Sequence, residues 1–166
     1  MKKQITLIIA LFASATAGLA QSSSATIIIS GAVVPVAAIT ATAAPALTDT
    51  ELNSGVVDKQ MSVVNELSNR HVGYWVALKS ANAAAASSSQ ARLNGISAGN
   101  TDVINYSIKY NGVAMVLGIN GQATVTTAAG KTPGAGVNKN LTITIGAGFP
   151  AADTYSDTIT VTLTNN

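Results

Sequence analysis

The stretch Val103–Gly118 reads VINYSIKYNGVAMVLG. Two apolar-rich runs flank Asn111-Gly112, a dipeptide that tolerates the left-handed backbone of a type I′ turn, so the stretch predicts a β-hairpin. In that register Tyr110 faces Val113, Ile108 faces Met115 and Tyr106 faces Leu117. Side chains alternate along a strand, so these six share one face, while Asn105, Ser107 and Lys109 share the other. One apolar and one polar face is the pattern of a sheet covered on one side only.

The same period recurs on both sides of the hairpin. In TYSDTITVTLT (154–164), Ile159, Val161 and Leu163 alternate with threonines, and LTITI (141–145) places Leu141, Ile143 and Ile145 together. GYWVALKS (73–80) sets Tyr74, Val76 and Leu78 opposite Trp75 and Ala77, and MSVVNEL and QATVTTA are weaker strands. The alanines at 83–86 lie among Ser and Asn and read as a loop. About seven short strands, separated by Gly, Asn and Ser and free of any βαβ rhythm, predict an all-β fold. Its expected form is an immunoglobulin-like antiparallel β-sandwich.

The chain of 166 residues opens MKKQITLIIALFASATAGLAQ. Two lysines, a short apolar run and small residues up to Ala20 are the layout of a secretory signal peptide over residues 1–20. The run is too short for a comfortable membrane span, which needs about 20 apolar residues, so no stable membrane insertion is expected after cleavage. The expected organisation is a signal peptide at 1–20, an N-terminal extension at 21–40 and a β-sandwich domain at 41–166. The expected location is the periplasm in transit, then the cell surface or the medium.

Charge and composition exclude several chemistries. The formal charge of +2 includes Lys2 and Lys3, so the remainder has seven basic and seven acidic side chains and no patch suited to nucleic acid. There is no cysteine, which removes thiolate nucleophiles and thiolate metal sites, and the single histidine, His71, rules out a multi-histidine site. The carboxylates Asp49, Glu51, Asp58, Glu66, Asp102, Asp153 and Asp157 are scattered, with neither a calcium loop nor an acid–base pair among them. The sequence reads as non-catalytic, with no cofactor. His71 reads as a solvated loop residue and Trp75 as sheet-edge packing or a partner contact. Tyr155 suits a corner role with its hydroxyl on a nearby carbonyl, and Asp157 suits bonding to local backbone.

The extension is different in kind. ATIIISGAVVPVAAITATA (25–43) has almost no polar relief, and Ile27, Ile29, Gly31 and Val33 fall on one face before Pro35. A strand this apolar beside a free terminus needs a core to enter, its own or another's.

Together, ATIIISGAVVPV, VVNELSN followed by GYWVALKSAN, and the closing TYSDTITVTLT make the chain similar to the archaic-type chaperone–usher pilins and the related spore coat protein U family. The closing motif carries Tyr155, Asp157, Ile159, Val161 and Leu163 at every second position. The resemblance implies a sandwich lacking its last strand. Its groove would be filled first by a periplasmic chaperone and later by the extension of the next subunit, with an outer-membrane usher as a further partner. Ile27, Ile29, Gly31 and Val33 would be the donated residues in a homopolymer or with related pilins. Burying Ile27, Ile29 and Val33 at roughly 1.5–3 kcal/mol each gives on the order of 5–9 kcal/mol. The alternative expectation is a monomeric secreted or periplasmic immunoglobulin-like binding or adhesion module. Its extension would complete its own fold, and it would bind ligand around Trp75 or the loop from Ala83 to Gly99.

Overall fold

The computed structural model describes residues 24–43 and 45–166. The expected signal peptide lies outside the described residues. The chain forms two units divided after Val33. In the first, residues 24–33 contain no helix or strand, and Ile27, Ile28, Ile29 and Val33 are 83, 85, 93 and 86% exposed.

The second unit, Val34–Asn166, is a sandwich of two antiparallel sheets. Its strands are β1 (Ala37–Ala41), β2 (Val56–Ser68), β3 (Tyr74–Ser80), β4 (Ala91–Gly95), β5 (Val103–Tyr110), β6 (Val113–Ala114), β7 (Gln122–Ala128), β8 (Val137–Ile145), β9 (Tyr155–Ser156) and β10 (Ile159–Asn165). The larger sheet runs β1-β2-β8-β5-β4-β9, with β6 on β5, and the smaller runs β10-β3-β7. Leu141, Ile143 and Ile145 of β8, Ile104, Tyr106, Ile108 and Tyr110 of β5, and Leu78 of β3 form the core between them.

The hairpin forms about Asn111 (φ 51°) and Gly112 (φ 81°), with Tyr110 opposite Val113 as expected. It is shorter than the pattern implied. The Met115 N–H donates to the Ile108 carbonyl at 2.8 Å, but pairing stops there, and Leu117 enters the core outside any strand. The chain must bend here to cross to the smaller sheet, where it becomes β7.

Three further departures have local causes. Residues 81–85 are a helix (α2) rather than a loop, because Ser80 caps it by accepting from the Ala83 N–H at 3.1 Å. A second short helix, α1 (Asp49–Ser54), is set by a Thr48–Glu51 capping box. The closing run is two strands: β9 pairs with β4 in the larger sheet, and β10 pairs with β3 in the smaller. Asp157 sits where the chain changes sheets.

Candidate functional site

The strands that end the two sheets define the site. β1 ends the larger sheet at the side away from β9, and β10 ends the smaller at the side away from β7, so each has one edge without a sheet neighbour. Between them lies an open groove of about 220 Å³. The larger sheet supplies Ala41, Met61, Val64, Leu93, Leu141 and Ile143, the smaller supplies Ile159 and Val161, and Leu47 extends the apolar lining. A second hollow of about 470 Å³ shares Leu47, Met61, Leu93 and Asp157 with it and continues past α1 and β9.

Burial along β10 shows how far the groove is covered. Ile159, Val161 and Leu163 alternate inward, as the period-2 pattern requires, yet all three are only half-buried. Their partners across the ladder, Leu78 opposite Val161 and Val76 opposite Leu163, are fully buried. The inner face of β10 is therefore covered on its β3 side and only partly covered elsewhere, although β1 approaches it and Asn165 at its end donates to the Val36 carbonyl at 3.3 Å.

Two carboxylates brace the frame around the groove. Glu66 of β2 is fully buried and accepts three hydroxyl hydrogen bonds: Tyr110 at 2.7 Å, Tyr74 at 2.9 Å and Thr126 at 3.1 Å. Tyr74 and Thr126 belong to the smaller sheet, so this cluster ties the layers together. Asp157 stands at the groove's end. Its Oδ2 accepts from the Ser80 and Tyr106 hydroxyls, both at 2.6 Å, and its Oδ1 from the N–H groups of Asn82 at 3.0 Å and Thr158 at 2.7 Å. Burial raises the hydroxyl pKa of Tyr74, to about 12, and of Tyr106 and Tyr110, with Glu66 or Asp157 adding to the effect. These tyrosines stay protonated as donors. Glu66 accepts three hydrogen bonds and Asp157 four, all from the protein itself, which suits a bracing role.

The residues singled out in the sequence are not brought together at one point. Ile27, Ile29, Gly31 and Val33 lie in the first unit, with their three large side chains exposed. Ile159 and Val161 line the groove, with Leu163 further along the same strand. Tyr155 donates from its hydroxyl to the Ala151 carbonyl at 2.9 Å, and Asp157 bonds both backbone and side chains. His71 is exposed in the turn before β3, and Trp75 is half-buried on β3. The carboxylate spacing alone does not set Glu66 apart from the other scattered carboxylates. Its place within the alternating VVNELS strand, on the parity of Val64, is the signal that would have found it. Among the described residues no His, Cys, Asp and Glu cluster could hold a metal ion, and no helix is long and apolar enough to cross a membrane.

No protein-family model matches the chain, and no curated protein matches it.

Proposed function

We propose that this chain is a structural, non-catalytic subunit of a surface fimbria, pilus or coat, and that it polymerises by donating its N-terminal strand to a neighbour. One observation carries the reading: an apolar groove lined by half-buried residues of β10, a strand that ends its sheet, in a chain whose N-terminal segment presents Ile27, Ile29 and Val33 to solvent. The donated strand adds main-chain hydrogen bonds at the edge of β10 and places alternate side chains in the groove. A contact of this kind links the extension of one copy to the groove of the next, so it propagates as an open filament. The immunoglobulin-like character, the signal peptide, export through the periplasm, a chaperone that covers the groove beforehand and an usher that exchanges it belong to the same reading.

The test is the size of the secreted protein on an unboiled gel, beside a variant lacking residues 21–33. That deletion leaves the unit Val34–Asn166 whole. An SDS-resistant ladder that collapses on heating, and that is absent from the deletion, is expected. A monomer at every concentration, or a ladder that survives the deletion, overturns the proposal.

A further inference from the structure

We propose that Asn69 is a positioning residue that selects donation of the N-terminal strand over its return into its own sandwich, an inference that rests on the strand-donation reading. The segment joins the sandwich through Val34-Pro35-Val36, and four hydrogen bonds meet there. The Asn69 Oδ1 accepts from the Val36 N–H at 2.7 Å, and the Asn69 Nδ2 donates to the Val34 carbonyl at 2.9 Å. The Asn69 N–H and the Asn165 Nδ2 each donate to the Val36 carbonyl at 3.3 Å. Asn165 is itself fixed by the Ser68 hydroxyl, which donates to its Oδ1 at 2.6 Å.

The local sequence would otherwise permit a reversal. Val34-Pro35-Val36-Ala37 has proline at the second position of a β-turn, where its fixed φ suits types I and II, and such a turn uses the first carbonyl to accept from the fourth N–H. A reversal at Pro35 would send residues 24–33 back along the free edge of β1, toward the groove that Ala41 helps to line. Asn69 engages the carbonyl that this turn needs. It also holds the Val34 carbonyl and the Val36 N–H on one side of the chain, their disposition in an extended peptide. Val34 precedes proline and is already confined to extended backbone, so the side-chain amide reinforces a local preference. The clamp thus disfavours the intramolecular closure, which would otherwise outcompete a neighbour by its high effective concentration.

The experiment compares the full chain with Asn69→Ala and with Asn69→Asp, which keeps the acceptor for Val36 but cannot donate to Val34. Sedimentation over a range of concentrations reads the polymer fraction, and hydrogen exchange reads the amides of Ile27–Val33. Asn69→Ala is expected to lower the polymer-to-monomer ratio about tenfold, the scale of one to two lost hydrogen bonds, with new amide protection at Ile27–Val33 in the monomer. Asn69→Asp is expected to fall between the two, and it decides the matter if the alanine variant loses the circular dichroism of the folded chain. Unchanged polymer fraction and unchanged exchange in a folded variant overturn the role of Asn69. A wild-type chain that never polymerises overturns strand donation instead. In that event exchange still tests the clamp: protected Ile27–Val33 amides in wild type overturn it, and protection appearing only in the variants supports it.

Discussion

Ile28 and Ile29 are adjacent, identical in chemistry and almost equally exposed, at 85 and 93%. Strand donation makes them unequal. Side chains of a strand point alternately to opposite faces, so if Ile27, Ile29 and Val33 enter the groove, Ile28 faces away from it. Truncating Ile29 to alanine removes three methylene-sized groups from the bound state at ~0.8 kcal/mol each. That is about 2.4 kcal/mol, or about 60-fold in Kd. Val33→Ala removes two such groups and predicts roughly 15-fold. Ile28→Ala is expected to change Kd by about threefold or less, since its side chain leaves water little more than it had before. The cost of ordering the segment is common to all the peptides and cancels in these ratios. The assay is fluorescence anisotropy, titrating peptides of residues 21–33 into the chain lacking those residues, with the unlabelled variants as competitors. Equal losses for Ile28→Ala and Ile29→Ala would refute a strand in fixed register. A larger loss for Ile28→Ala would place the opposite face in the groove.

The Glu66 cluster predicts that Tyr110→Phe lowers stability by about 1.5–3 kcal/mol in urea unfolding, because it removes one hydrogen bond to a buried carboxylate without opening a cavity. A loss under about 0.5 kcal/mol would show that the cluster does not hold the sheets together. Stability should also fall as pH rises above about 10: Tyr74, Tyr106 and Tyr110 have raised pKa values in the fold, so the native state keeps protons that the unfolded chain releases. A flat melting temperature from pH 9 to about 11.5 would contradict that sign. At the acid end Asp153, held low by hydrogen bonds from Ser97 and Asn100, and Glu51 and Asp58, held low by Lys59 and Lys109, contribute stability above about pH 4 that is lost as pH falls further. Thermal melts between pH 2 and 6 read this directly. Gly73→Ala should cost on the order of 3 kcal/mol or leave the chain insoluble, since Gly73 has φ 89° and an added Cβ would meet the Ala128 carbonyl oxygen at 1.7 Å. Soluble expression and a urea melt within 1 kcal/mol of wild type would refute it.

The parts of the fold legible in the sequence were those in which local pattern and tertiary burial agree. Leu141, Ile143 and Ile145 alternate in the chain and are buried in the core, and Asn111-Gly112 takes the left-handed backbone that its composition favours. Where the two levels diverge, periodicity misleads. TYSDTITVTLT has a continuous period of two, yet Asp157 draws four donors to one point and the chain leaves one sheet for the other. ARLNG, which forms β4, has only Leu93 as a large apolar residue and gave no strand signal, although Gly95 and Asn94 pair with β9. The apolar groove residues were visible as strand residues, but nothing in Ile159 or Val161 announces that they are half-covered. That property depends on which strands end the sheets, and it follows from topology.

An open edge and a bare apolar strand are each hazards in a soluble protein, because each can pair with any similar surface. Here β1 and β10 both end their sheets, and the 24–33 segment is β-prone and uncharged. On the strand-donation reading the two hazards are complementary, and each is removed by the other when copies meet head to tail. Selectivity then depends on the groove. Gly31 stands between Ile29 and Val33 on the donated face, so the strand presents a gap flanked by bulk. Filling that gap should harm assembly more than filling the solvent face: Gly31→Leu in the full chain is expected to shorten the unboiled ladder, while Ala32→Leu leaves it unchanged. Equal ladders from the two variants would mean that the segment is held by main-chain bonds alone, and then the apolar alternation in residues 27–33 would have no part in choosing its partner.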